Sequence, residues 1–247
     1  MLLWIIFGIM LRVAAVFVFG YPRVSIPRKA GTEGIENPEM VKAYNRIIQW
    51  PPFKSIRKMV VREIRKHNPK GTIVDIGCGP GYLTIIIAKS SPRLHIIGVD
   101  ISEEMLKTAR SNLYSSDLNK RIEYRQGDVQ GLPFENNTID FVVSTFSLHH
   151  WSNPDEALQE IYRVLKYRGQ FLIFDLRRDC RRLFYWLLRF LTKFIVPAPL
   201  RNVGEPLGSV LSSYTLTEVG AILRKSPFQQ WETKSGIGWM FVWGCRD

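Results

Sequence analysis

The chain has 247 residues and carries 34 Lys and Arg against 22 Asp and Glu, a formal net charge of +12. This length is enough for one ordinary domain with a sizeable core and additional segments. Its three scattered cysteines have neither zinc-type nor disulfide-framework spacing, which excludes a disulfide-stapled secreted scaffold and fits a reducing compartment.

The basic charge lies on the flanks of the chain. Residues 1–70 carry a net +9 and residues 177–247 a net +6, whereas residues 71–176 carry −3. Basic flanks of this kind suit an anionic membrane surface or a nucleic acid.

Residues 1–20 are almost wholly apolar, with Arg12 as the single charge. Twenty helical residues span about 30 Å, the thickness of a bilayer core, so the stretch predicts a membrane-anchor or interfacial helix. A buried core helix is the alternative. Because Arg23, Arg28 and Lys29 follow directly, the positive-inside rule places the rest of the chain in the cytoplasm.

A linker is predicted over residues 21–38, which are rich in Pro and Gly. Asn37 followed by a proline predicts the start of a helix containing Tyr44, and of the domain over residues 39–247. The stretch Trp50-Pro51-Pro52-Phe53 predicts a turn. A basic helix, predicted to be solvated or lipid-facing, then runs from Ile56 to His67 and includes Arg57.

A glycine-rich turn follows the first strand. The β-branched run Thr72–Ile76 leads into Gly77-Cys78-Gly79-Pro80-Gly81, and a helix is predicted from Tyr82. A strand, a glycine turn and a helix in this order begin a βαβ unit, and the free N–H groups of the helix point at whatever lies over the turn. Taken alone, the glycine cluster also fits an ordinary turn.

Acidic residues follow the next two strands. Asp100 ends the run His95–Val99, and Asp128 follows the run Ile122–Gln126. A doubly wound sheet places a carboxylate at the end of its second strand, where it accepts hydrogen bonds from ribose hydroxyls. The strand ends therefore predict a nucleoside site at one edge of a parallel sheet.

At this point the chain resembles the class I S-adenosylmethionine-dependent methyltransferases, in their small-molecule, type 11-like branch. The D-x-G-x-G-x-G motif that begins at Asp75 carries the resemblance, together with Val164–Gly169, which is similar to the family's Leu-Lys-Pro-Gly-Gly turn. It implies a Rossmann-like, mostly parallel seven-stranded sheet with helices on both faces and an antiparallel last strand. A dinucleotide-binding domain is the alternative, but its third glycine would fall at Tyr82.

The resemblance implies S-adenosyl-L-methionine as the cofactor and a set of binding residues at the strand ends. These residues are Asp75, Gly77, Cys78, Gly79, Gly81, Asp100, Ile101, Asp128, Val129 and Ser144. Asp75 and the glycine backbone would hold the methionine end, and Asp100 would bind the ribose. Ile101 and Val129 would pack at the adenine. Asp128 would accept a hydrogen bond from the adenine amino group. Ser144 would lie under the sulfonium.

His149 and His150 follow the predicted fourth strand, Ile139–Thr145, in a segment that resembles the family's active site. Imidazole titrates near neutrality, so either residue could take a proton from a hydroxyl acceptor, and both are candidate catalytic residues. The alternative is that they only orient the acceptor or fill the loop. No metal site is predicted.

Residues 177–213 lie where the family inserts its acceptor-binding element. They predict a basic amphipathic helix with a wide apolar face, typical of an interfacial membrane contact. Packing of this helix on the sheet is the alternative. A capping box at Thr215 then predicts a final helix, and Trp231–Ser235 with Trp239–Trp243 predict a terminal hairpin.

Together these patterns predict a membrane-associated methyltransferase that acts on a lipophilic small molecule such as a quinone, an isoprenoid or a lipid. An RNA methyltransferase that uses the basic flanks is the alternative enzyme. A nucleic-acid partner is disfavoured because enzymes that methylate amino groups of nucleic acids carry a Pro-Pro-aromatic motif at the fourth strand, whereas here Pro51-Pro52-Phe53 precedes the first strand. A non-catalytic cofactor-binding partner protein is a third interpretation. The sequence leaves the acceptor atom and the oligomeric state open.

Overall fold

The structure is a computed structural model, and it describes five stretches of the chain. These are Trp4 and residues 8–10, 23–31, 34–114 and 117–247. The helix predicted over residues 1–20 lies outside the described residues apart from Trp4 and residues 8–10, which are helical. Among the described helices, none is by itself long and apolar enough to cross a membrane, although the helical segments Arg182–Phe194 and Ala198–Ser212, bent by 118°, pass that test as a pair.

Within the described residues, seven strands form one sheet. They are β1 (Thr72–Ile76), β2 (His95–Asp100), β3 (Ile122–Gln126), β4 (Ile139–Thr145), β5 (Leu165–Leu176), β6 (Gln230–Ser235) and β7 (Trp239–Cys245). The spatial order is β3-β2-β1-β4-β5-β7-β6, and β7 runs antiparallel to both of its neighbours while the other pairs are parallel. The predicted Rossmann-like sheet with an antiparallel last strand is confirmed.

Within residues 34–114 and 117–247, nine α-helices accompany the sheet. They are α1 (Pro38–Ile47), α2 (Pro51–Lys66), α3 (Tyr82–Ser90), α4 (Glu103–Tyr114), α5 (Pro154–Val164), α6 (Arg182–Phe194), α7 (Ala198–Asn202), α8 (Leu207–Ser212) and α9 (Leu216–Lys225). A 3₁₀ turn at Leu148–His150 follows β4.

The core lies on both faces of the sheet because successive side chains of a strand point to opposite sides. On one face, side chains such as Val142 pack against α5 and α9, for example on Ile161. On the other, side chains such as Phe141 pack against α2, α3 and α4, for example on Val60 and Leu106. The chain winds in opposite directions from β1 and β4, and this reversal opens a crevice at the carboxyl ends of the two strands.

Local capping explains where several helices begin. The Asn37 side chain accepts hydrogen bonds from the N–H groups of Glu39 at 2.9 Å and Met40 at 3.1 Å. Thr215 and Glu218 form the predicted capping box of α9. These side chains satisfy N–H groups that have no partner within the helix, which confirms the predicted starts.

Two predicted boundaries were wrong. The turn predicted at Trp50–Phe53 is the first turn of α2, because Pro51 at the first helical position needs no hydrogen-bond donor and already has a helical φ. Strand β5 begins at Leu165, within the stretch Val164–Gly169 that resembles the family's turn. The chain forms an irregularity here, in which Arg168 has a φ of 62°, before regular pairing with β4 resumes.

Part of the predicted linker lies against residues 177–213, the predicted insertion. The N–H of Val24 donates to the carbonyl of Cys180 at 3.0 Å, and the N–H of Lys29 donates to the carbonyl of Leu211 at 3.0 Å. Residues 23–31 therefore run beside the segments that contain Cys180 and Leu211.

Candidate active site

The glycine turn between β1 and α3 has a backbone that favours glycine. Gly77, Gly79 and Gly81 have φ values of 68°, 52° and 77°, in the left-handed region. A Cβ at Gly77 would overlap the Ser147 side chain, and one at Gly81 would overlap the Tyr124 hydroxyl. Backbone conformation and close approach therefore both require glycine at these two positions.

Two of the predicted residues lie beneath this turn. Asp75 is 0% exposed, and its Oδ2 accepts a hydrogen bond from Thr84 Oγ1 at 2.8 Å, which links β1 to α3. Burial raises the pKa of the Asp75 carboxyl to about 7. Ser144 is also fully buried and donates from Oγ to the carbonyl of Ile76 at 2.9 Å. Both side chains support the turn from below.

Two clefts of the described structure meet at Gly77. The first has a volume of about 360 Å³ and lies at the carboxyl edge of β1, β2 and β3. Its lining residues are Ile76, Gly77, Asp100, Ile101, Gly127, Asp128, Val129, Ser147, His150 and Trp151. The structure therefore brings together the four residues that were predicted to contact the ribose and the adenine.

The Asp100 carboxylate is fixed by backbone N–H groups, one of which belongs to the glycine turn. Its Oδ2 accepts from the N–H of Gly79 at 2.7 Å, and its Oδ1 accepts from the N–H of Ser102 at 3.0 Å. Burial raises the pKa of Asp100, against the opposing effect of these hydrogen bonds. Since each carboxylate oxygen has two lone pairs, the side chain can still accept hydrogen bonds from a ligand. Asp128 Oδ1 accepts from the N–H of Gln130 at 2.9 Å.

The second cleft, of about 490 Å³, is apolar and rich in aromatic side chains. It is lined by Tyr44, Ile48, Phe53, Ile56, Arg57, Val60, Gly77, Cys78, Gly79, Pro80, Tyr82, Leu83, Thr145 and Phe146. Burial raises the pKa of Tyr44 to about 12, so its phenol stays neutral at physiological pH.

Arg57 is the charged side chain in the lining of the second cleft. It is half-buried, and its Nη1 donates to the carbonyl of Ile48 at 2.6 Å. The sequence had assigned Arg57 to a solvated or lipid-facing surface, and this was wrong. Arg57 lies on the side of α2 that faces the glycine turn, together with Phe53 and Val60.

The two predicted histidines have different surroundings. His149 is 1% exposed, and its Nδ1 lies 2.7 Å from Asp175 Oδ1, while its backbone N–H donates to Asp175 Oδ2 at 2.9 Å. His150 lines the first cleft, and its ring centroid lies 4.0 Å from that of His149. Sequence reasoning missed Asp175. The available signal was a lone acid inside an apolar strand, since a buried carboxylate requires partners.

In this Rossmann-like sheet, acidic residues lie at or just after the ends of β2 and β3, on the same edge as the crevice between β1 and β4. This arrangement is typical of nucleoside-binding α/β proteins. Comparisons with known proteins narrow this class. A family profile described as "Methyltransferase domain" matches residues 74–173. A demethylmenaquinone methyltransferase from Porphyromonas gingivalis is 30% identical over 174 residues, which cover 69% of this chain and 68% of the relative.

Two further similarities extend over most of the chain. A ubiquinone/menaquinone biosynthesis C-methyltransferase from Geotalea daltonii is 28% identical over 195 residues, which cover 78% of this chain and 80% of the relative. A solved structure from Methanococcus maripaludis, assigned as an S-adenosyl-L-methionine-dependent methyltransferase, is 24% identical with a TM-score of 0.67 and covers 88% of this chain and 97% of its own. The chain belongs to the class I S-adenosyl-L-methionine-dependent methyltransferases, and S-adenosyl-L-methionine is its cofactor.

The residues of the turn fit this cofactor. At Gly79 a Cβ would meet only Tyr44 Cε1, at an ordinary contact distance of 3.8 Å, so the missing side chain leaves room above the backbone. The first turn of α3 adds backbone N–H groups that have no partner within the helix. Across the described residues, no group of three or more His, Cys, Asp or Glu side chains is placed to hold a metal ion.

Proposed function

We propose that this enzyme methylates a ring carbon of a lipophilic quinone-type acceptor and that it works in association with a membrane. The observation that carries the proposal is the apolar, aromatic second cleft, which meets the carboxylate-lined first cleft at Gly77. A planar lipophilic ring suits such a lining. The names of the two curated relatives support a quinone acceptor, and one of them specifies transfer to carbon.

The first cleft and the turn would hold the cofactor. Asp100 would accept hydrogen bonds from the ribose hydroxyls, Ile101 and Val129 would pack at the adenine, and Asp128 would accept from its amino group. The glycine backbone and the N–H groups that begin α3 would face the methionine end. Bound there, S-adenosyl-L-methionine supplies a methyl group on a positively charged sulfur, which leaves alignment and exclusion of water to the protein.

His150 is the candidate proton acceptor. Methylation of a ring carbon replaces one ring hydrogen and releases one proton, and loss of a hydroxyl proton makes the ring carbon more nucleophilic. His150 lines the first cleft, which meets the second at Gly77, and we place the methyl acceptor at this junction, beside its imidazole. His149 lies behind it as a positioning residue, fixed by its two hydrogen bonds to Asp175.

The second cleft would orient the acceptor ring. Phe53 and Phe146 pack edge to face with centroids 6.0 Å apart, and they present an aromatic wall. Arg57 lies among these apolar side chains with an Nε that is buried and has no hydrogen-bond partner within the described structure. A ring oxygen of the acceptor, especially an ionised one, would complete the hydrogen bonding of this guanidinium.

The direct test is methyl transfer by the purified full chain. The enzyme is incubated with methyl-labelled S-adenosyl-L-methionine and either a short-chain demethylmenaquinol or total RNA, and mass spectrometry locates the label. We expect transfer to the ring carbon of the quinol. Transfer to a hydroxyl oxygen would refute the assignment of carbon as the acceptor atom, and labelling of RNA alone would favour the alternative enzyme class.

A matched pair of variants connects the activity to the second cleft. Phe53→Ser places a polar side chain in the aromatic wall, whereas Phe228→Ser alters a buried phenylalanine on the opposite face of the sheet. At equal concentrations of folded protein, only Phe53→Ser should raise the KM for the quinol. Equal effects of the two variants would argue against an acceptor site in this cleft.

A further inference from the structure

Helix α6 exposes an apolar stripe. The stripe consists of Leu183, Trp186, Leu187, Phe190 and Phe194, which recur at helical spacing on one side of α6. Trp186, Phe190 and Phe194 are 58%, 54% and 59% exposed. Contiguous exposed apolar surface of this kind marks an interaction site.

Basic side chains border one edge of the stripe. At 100° per residue, Arg182, Arg189 and Lys193 share a narrow arc next to it. The Arg189 guanidinium lies 5.3 Å from the Trp186 ring centroid, and Lys193 Nζ lies 5.2 Å from that of Phe194. Long basic side chains that cover aromatic rings in this way keep their charges at a polar interface while the rings enter an apolar phase.

The opposite side of α6 is fixed to the domain. The Phe184 ring packs so closely on Gly238 that a Cβ there would overlap it, and Thr192 is buried. The stripe is therefore held outward. The hydrogen bond from Val24 to Cys180 places the chain that leads to the apolar residues 1–20 beside the start of α6.

We infer that the stripe of α6 docks the enzyme on an anionic lipid bilayer, with the rings among the acyl chains and the basic edge at the headgroups. This inference rests on the proposed function in one respect, namely that a lipophilic acceptor reaches the site from the same bilayer. Helix α8 contacts both α6 and the 3₁₀ turn that carries His149 and His150, so the docked surface lies one helix away from the proposed proton acceptor.

The basic edge distinguishes the bilayer from other occupants of the stripe. A second copy packed stripe to stripe would bring Arg182, Arg189 and Lys193 of both copies together, which like-charge repulsion opposes. Coverage by residues 1–20 would leave these three cations without acidic partners, since that stretch contains no acid. Anionic headgroups instead attract each basic side chain near the surface.

The test measures whether Trp186 enters the bilayer when the full chain binds vesicles of phosphatidylglycerol and phosphatidylcholine. Brominated acyl chains quench tryptophan at close range, and the difference between the wild type and Trp186→Phe isolates the signal of this residue. We expect strong quenching of the Trp186 component. Absence of quenching in vesicle-bound protein would overturn the inference, whether residues 1–20, a second copy or water covers the stripe.

A second measurement tests the basic edge. The triple variant Arg182→Gln, Arg189→Gln, Lys193→Gln should partition onto anionic vesicles roughly 100-fold more weakly than the wild type. A control with the same net charge, Arg93→Gln, Arg224→Gln, Lys225→Gln, removes exposed cations elsewhere and should lose less than about threefold. Equal losses in the two triple variants would overturn the role of the basic edge.

Turnover of a water-soluble short-chain quinol separates this inference from the proposed function. Both triple variants should retain wild-type turnover of that acceptor. If the wild type turned over no quinol while Trp186 was quenched, the docking surface would stand and the proposed substrate would fall.

Discussion

Because His150 is the proposed proton acceptor and His149 only positions it, substitutions at these two residues should lower the rate by very different amounts. His150→Gln removes the imidazole that lines the first cleft, and loss of a general base typically costs about 10²–10⁴-fold in rate. His149→Asn keeps a donor near the position of Nδ1, so the hydrogen bond to Asp175 can persist. We therefore expect a loss of about tenfold or less for His149→Asn.

The stability of the His149 variants follows from the geometry around Asp175. Its carboxylate accepts from the backbone N–H groups of His149 at 2.9 Å and Leu176 at 2.7 Å, and these bonds survive any side-chain change at residue 149. His149→Ala loses the third bond, at 2.7 Å to a carboxylate that is 1% exposed. A buried hydrogen bond to a charged group is worth about 1.5–3 kcal/mol, and the free energy of unfolding should fall by that amount.

Three measurements on the purified full chain test this prediction. Urea denaturation gives the free energy of unfolding, calorimetry gives the affinity for S-adenosyl-L-methionine, and single-turnover methyl transfer to a short-chain demethylmenaquinol gives the rate of the chemical step. His150→Gln should change the rate with little effect on stability. If His149→Asn lost about 10³-fold while His150→Gln stayed near the wild type, the roles assigned to the two residues would be reversed.

Other substitutions test the turn and the second cleft. Gly77→Ala puts a side chain at a φ of 68° and against Ser147, so urea denaturation should show a loss of about 1–3 kcal/mol together with weaker cofactor binding. Burial raises the pKa of Asp75 from 3.8 to about 7, so the native state keeps a proton that the unfolded chain releases. Compared with Asp75→Asn, the wild type should therefore lose about 4 kcal/mol of its free energy of unfolding as the pH rises from about 4 to about 7. Above about pH 7 the difference should stay constant, and urea denaturation at a series of pH values measures it. Arg57→Gln should raise the KM for the quinol about tenfold in steady-state kinetics and leave cofactor affinity unchanged, since a charged hydrogen bond is lost only toward the acceptor.

Local rules made part of the site predictable. Gly77 and Gly81 have left-handed φ values, and Asp100 and Asp128 follow the ends of parallel strands, which meet at one edge of the sheet. The order of strand, glycine turn and helix fixes these positions within short stretches of chain. The sequence alone could therefore group the residues of the first cleft that follow the strand ends.

The second cleft depends on packing between distant elements. Phe53 and Arg57 reach the glycine turn because they lie on the side of α2 that lines the second cleft, and periodicity alone could not show which side of that helix faces the sheet. The roles of His149 and His150 also depend on a distant partner, because Asp175 lies 26 residues further along the chain. Side chains brought together by the sheet, rather than by neighbouring sequence, escape pattern reasoning.

Binding of S-adenosyl-L-methionine by the acids at the strand ends is the central claim, and isothermal titration calorimetry tests it most directly. Asp100→Asn keeps the shape of the side chain but replaces an acceptor oxygen with a donor, and Asp117→Asn alters an exposed acid elsewhere. The wild type and Asp117→Asn should bind one cofactor per chain with equal affinity, while Asp100→Asn should bind at least about tenfold more weakly. Equal affinity of Asp100→Asn and the wild type would contradict the placement of the cofactor in the first cleft.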